Sequence, residues 1–80
     1  MKAVVRVDLK PGVLDPQGQA VAHALLGLGF SEVTAARQGK IIELDLQGTD
    51  RASAEARVRE MCEALLANTV IEKYEVWVAE

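Results

Sequence analysis

Half of the 80 residues are apolar, and 12 of those 40 are alanine, so 28 larger apolar side chains remain to build a core. That is one domain, 1–80, with little room for a substrate cavity beside its own interior, which disfavours a self-contained enzyme and favours a domain that leans on a partner. The net charge of −3 is split: five Lys/Arg against three Asp/Glu over residues 1–40, and four against nine over 41–80. No basic patch interleaved with aromatics supports nucleic-acid binding, and no apolar run is long enough to span a membrane.

Lys2 to Lys10 alternates, with Ala3, Val5, Val7 and Leu9 on one face, which predicts a half-buried strand ended by the Pro11-Gly12 turn. Asp15-Pro16 then opens a helix, with Asp at the N-cap and Pro at the first helical position. Val21, Ala24, Leu25 and Leu28 form its apolar stripe, and Gly27 and Gly29 are candidate C-caps. Glu32 to Arg37 reads as a weaker strand, joined through Gln38-Gly39-Lys40 to Lys40–Gln47 as a hairpin. In the second of these strands Ile42, Leu44 and Leu46 point inward. Thr49-Asp50 caps a second helix running to about Ala67, with the buried stripe Ala54, Val58, Met61, Cys62 and Leu65 and a left-handed stop at Asn68. From Val70 to Ala79 the period returns to two, with Tyr74, Val76 and Val78 on the inner face. The order βαββαβ predicts a ferredoxin-like α+β sandwich, an antiparallel sheet with both helices on one face.

Few residues carry chemistry. His23 falls on the wet side of the first helix, with no carboxylate or thiol placed beside it. Cys62 lies on an apolar stripe and reads as a structural thiol, and as the sole cysteine it fits a reducing, cytoplasmic setting. No catalytic, cofactor-binding or metal-ligating residues are assigned: Gly27 and Gly29 end a helix instead of opening one, so they make no phosphate loop. On the sheet face away from the helices, Val4, Ile41, Ile71 and Trp77 gather. A tryptophan among aliphatics there points to contact with a partner or a second copy.

Four segments together resemble one family: Leu9–Val21 (LKPGVLDPQGQAV), Leu25–Val33 (LLGLGFSEV), Arg37–Leu46 (RQGKIIELDL) and Met61–Val76 (MCEALLANTVIEKYEV). They resemble the PurS family, the small subunit of phosphoribosylformylglycinamidine synthase. Thr69 departs from the pattern, standing where many relatives have proline. The resemblance implies a non-catalytic, cytoplasmic subunit of purine biosynthesis that assembles with a glutaminase and a synthetase subunit. Glutamine and ATP/Mg would be used by those partners and no cofactor by this chain, with ammonia passing between their active sites to formylglycinamide ribonucleotide. It also implies a homo-oligomer, dimer or tetramer. On this reading Asp15, Pro16, Gln17 and Gly18 present a rigid loop-to-helix junction to a subunit, and Arg37, Gly39 and Lys40 form a second contact turn. Val4, Ile41, Ile71 and Trp77 form the dimer surface. The alternative is a dimeric ferredoxin-like regulatory domain that binds a small metabolite between subunits, a reading by fold analogy.

Overall fold

The computed structural model describes residues 1–48 and 50–79. Three strands, β1 (Lys2–Leu9), β2 (Lys40–Asp45) and β3 (Glu72–Ala79), form an antiparallel sheet in the order β2-β1-β3. The helices are α1 (Pro16–Gly27) and α2 (Arg51–Met61), the latter continued by a π-helical turn, Cys62–Leu66. The α+β class, the antiparallel sheet and its two helices are those expected from the sequence.

Alternation sets the two sheet faces. The rows Ala3–Leu44–Val78 and Val5–Ile42–Val76 stand on one side, and Val4–Glu43–Trp77 and Arg6–Ile41–Glu75 on the other. Ala3, Val5 and Val7 are buried under Val58 and Cys62, with Ile42, Leu44, Tyr74, Val76 and Val78 packed around them. Pro11-Gly12 ends β1 as expected: Val13 N donates to Lys10 O at 3.1 Å across a turn in which Gly12 takes φ +86°.

The structure departs from expectation in four places. Residues 33–39 are not a strand. A two-residue hairpin turn would need positive φ, yet among the described residues positive φ is confined to Gly12, Gly29 and Gly48. The chain therefore does not reverse at Gly39, and the segment is tied to the 9–15 loop instead.

Secondly, α1 does not cover the sheet. Its one buried residue is Gly18, while Val21 and Leu28 of the predicted stripe are 43% and 74% exposed. Among the described residues, α2 is the helix with substantial contact to the sheet, against β3. Helical periodicity shows that an apolar stripe exists without saying what it meets.

Thirdly, the stripe of the second helix changes register. The π-helical turn carries more residues per turn than an α-helix, so after the buried Cys62 it is Leu66 that packs on the core and Leu65 that points out, 82% exposed. Lastly, Asn68 ends the helix without a left-handed backbone: its carbonyl accepts from Ile71 N and Glu72 N, and its Oδ1 from Val70 N. At the start of α2 the Asp50 carboxylate accepts from Ala52 N at 3.2 Å and from the Ser53 hydroxyl at 2.6 Å. Thr49, read with it as a cap, lies outside the described residues.

Candidate assembly surfaces

The two predicted contact turns are one structure. Asp15, only 6% exposed, caps α1 by accepting from Gly18 N through Oδ1 at 2.8 Å. Its second oxygen accepts from Gln38 N, also at 2.8 Å, across 23 positions of sequence. One carboxylate thus satisfies an orphan amide of the helix and an amide of the strandless segment before β2. Those two amides, Gln38 first and Gly18 second, hold the Asp15 carboxyl below the usual range, with the Arg37 charge assisting against the opposing effect of burial.

Arg37 completes the junction from outside. Its guanidinium donates to the carbonyls of Val13, Leu9 and Lys10 at 3.2–3.3 Å, and Gln38 Nε2 donates to Gln17 Oε1 at 3.1 Å. A planar, always-charged fork suits this arrangement, because two separate nitrogens reach the carbonyls, one Val13 and the other Leu9 and Lys10. Two glycines permit the close approach. A Cβ on Gly18 would lie 2.5 Å from Ala36 O and 2.7 Å from Asp15 Oδ2, and one on Gly39 would strike Asp8 Oδ1 and come within 2.9 Å of Val7 O. Pro16, Gln17, Arg37, Gly39 and Lys40 are exposed around this knot, with Gly18 buried beneath them.

Sequence reasoning named Asp15 and Arg37 but missed Gln38, whose backbone amide joins the halves. Backbone donors carry no residue signature, so the only available clue was the pair of glycines. Among the described residues no group of His, Cys, Asp and Glu is placed to hold a metal ion. His23 is exposed on α1. Cys62 is fully buried, and burial pushes its thiol up, which keeps it protonated and unreactive.

The other surface is the helix-free sheet face. Val4 and Trp77 are register partners, Ile41 lies one row on, and Ile71 falls in the turn just before β3. Ile41 is 59%, Trp77 50% and Ile71 40% exposed, while Val4 is half-buried. Charged side chains are interleaved with these apolar ones: Glu43 shares the row of Val4 and Trp77, and Arg6 and Glu75 share the row of Ile41, with ion pairs between Lys2 and Glu43 (3.6 Å) and between Arg6 and Asp8 (2.9 Å).

Knot and patch together define a small α+β domain with conspicuous exposed faces, and comparison with known proteins names its kind. A family model described as PurS, phosphoribosylformylglycinamidine (FGAM) synthase, matches residues 2–80. The chain belongs to the PurS family. It is 52% identical over 79 residues to the phosphoribosylformylglycinamidine synthase subunit PurS of Bacillus subtilis (strain 168), covering 99% of this chain and 93% of that one. The solved structure of B. subtilis PurS superimposes with a TM-score of 0.88, covering 99% and 98% of the two chains. PurS of Methanocaldococcus jannaschii, one of the subunits of formylglycinamide ribonucleotide amidotransferase in the purine biosynthetic pathway, gives 0.90 at 39% identity over 99% and 95%. A chain in the structure of PurLQS from Thermotoga maritima gives 0.86 at 33% identity over 95% and 93%.

Proposed function

We propose that this chain is the small, non-catalytic subunit of phosphoribosylformylglycinamidine synthase, acting in the cytoplasm in de novo purine biosynthesis. It bridges a glutaminase subunit and a synthetase subunit, so that glutamine-derived ammonia reaches formylglycinamide ribonucleotide in an ATP-dependent amidation. The observation that carries this reading is near-full-length similarity to a chain of a PurLQS assembly, with a TM-score of 0.86. ATP/Mg and glutamine are used by the partners, and this chain binds neither.

The contribution to catalysis is positional. Ammonia released in bulk water is diluted, whereas two sites held in register keep it at high effective concentration. Stiffness suits that task, and the knot of Asp15, Pro16, Gln17 and Gly18 with Arg37, Gly39 and Lys40 provides a rigid patch for a larger subunit. The face of Val4, Ile41, Ile71 and Trp77 meets a second copy.

The test mixes this chain with the glutaminase and synthetase subunits, glutamine and ADP, and determines the mass of the complex. A ternary complex is expected, and glutamine-dependent amidation should require this chain while amidation fed with free ammonia should not. Two large subunits that assemble and turn over glutamine equally well without it would overturn the reading.

A further inference from the structure

Three of the nine Lys and Arg residues of this acidic chain meet at one small hollow. Arg6, Arg37 and Lys73 line it with a single carboxylate, Asp8, and Leu9, Pro11 and Gln38 complete the lining. Its volume is about 310 Å³. By alternation Arg6, Asp8 and Lys73 stand on the helix-free face of the sheet, at the end where β1 runs into the Asp15 knot. Three cations against one anion leave the hollow with a charge of +2, in a chain whose net charge is −3.

That charge is not relieved within the chain. Lys73 stands directly across from Asp8 in the β1–β3 register, a position in which opposite charges ordinarily pair. Asp8 pairs with Arg6 instead, Oδ2 to Nε at 2.9 Å, and it is wedged against Gly39, where a Cβ would strike its Oδ1. Among the described residues no carboxylate lies within ion-pair distance of Lys73 or Arg37. Arg37 gives three hydrogen bonds to main-chain carbonyls. Those bonds fix its guanidinium without neutralising it, and of the five N–H donors of an arginine they leave two unspent. Cations gathered in this way repel one another until an anion joins them.

We infer that this hollow is a phosphate-binding site, which takes the phosphate group as the free ion or on a phosphomonoester. A phosphate group carries about −1.5 to −2 at neutral pH, which matches the uncompensated charge. Its three terminal oxygens can accept from Arg6, Arg37 and Lys73 together, and guanidinium forks suit it geometrically. A carboxylate brings one charge and two oxygens, and so leaves one cation unmatched. The site is independent of the bridging role proposed above and adds a ligand to the chain's own surface.

Calorimetric titration of the full chain with inorganic phosphate, glycerol 3-phosphate and acetate, at matched ionic strength in a phosphate-free buffer, tests the site. Saturable one-to-one binding of a phosphate probe is expected, tighter than that of acetate. Tighter binding of glycerol 3-phosphate assigns the site to a phosphomonoester, and equal or tighter binding of inorganic phosphate assigns it to the free ion. Lys73 is exposed and takes no part in the knot, so Lys73→Gln should leave the fold intact and weaken binding about tenfold, the loss of one charge-assisted hydrogen bond. Lys2→Gln removes a cation at the far end of β1, one already paired with Glu43, and should bind as the wild type does. The inference is overturned if neither phosphate probe binds saturably, or if acetate binds as tightly. It is equally overturned if Lys73→Gln leaves binding unchanged or if Lys2→Gln weakens it as much.

Discussion

Two glycine-to-alanine substitutions in one helix should have opposite signs. Alanine in place of a helical glycine ordinarily stabilises by about 0.5–1 kcal/mol, because the unfolded chain loses backbone freedom. At Gly27, the last residue of α1, a Cβ would have nothing within 4 Å, so Gly27→Ala should realise most of that gain. At Gly18 the new Cβ would meet Ala36 O at 2.5 Å, Asp15 Oδ2 at 2.7 Å and Asp15 Cγ at 2.9 Å. Relaxed carbon–oxygen contacts begin near 3.3 Å, so something must retreat by about 0.6–0.8 Å. Neither neighbour is free to do so: Ala36 O is backbone, and Asp15 Oδ2 is held by Gln38 N at 2.8 Å. Forcing a methyl into such a site costs about 1–3 kcal/mol, which outweighs the backbone gain. Gly18→Ala should therefore be net destabilising by about 1 kcal/mol, and the two variants should differ by the steric cost itself, about 1–3 kcal/mol. Urea denaturation at one fixed protein concentration measures the difference, since an oligomer's midpoint depends on concentration. For a domain of this size each kcal/mol also shifts Tm by about 4–8 °C. Gly18→Ala as stable as Gly27→Ala would show that the knot is loose and the argument from close approach wrong.

Two further outcomes follow from the same geometry. Leu66→Ala should cost about 1–3 kcal/mol in urea denaturation while Leu65→Ala changes stability by less than about 0.5 kcal/mol, as the π-helical turn requires; equal costs would mean that the turn does not shift the register. The Asp15 carboxyl is held below its ordinary value in the folded chain, so its stabilising effect is present above the unfolded value of 3.8 and is lost as pH falls through the lower folded value. Asp15→Asn should therefore be less stable than wild type at neutral pH, with the gap narrowing below about pH 4; a pH-independent gap in denaturation midpoints would contradict the assigned hydrogen bonds.

Local features of this chain were legible because they depend on neighbours in sequence. Alternation in Lys2–Leu9 and Glu72–Ala79 placed the right side chains on each sheet face, and capping chemistry located the start of α1 at Asp15-Pro16. The resemblance carried by residues 9–21, 25–33, 37–46 and 61–76 was equally legible, and the comparisons bear the family out. Four things were settled only in three dimensions. Residues 33–39 alternate weakly enough to suggest a strand, but the Gln38 amide is held by a carboxylate 23 positions away. The shift from Leu65 to Leu66 comes from one wide turn, which residue spacing does not encode. Two turns named separately, at Asp15 and at Arg37, are joined by a backbone amide that no side-chain pattern marks. The apolar stripe of α1 was visible from its spacing. Its exposure was not, because periodicity reports that a helix has a face to bury and only tertiary structure reveals whether its own chain buries it.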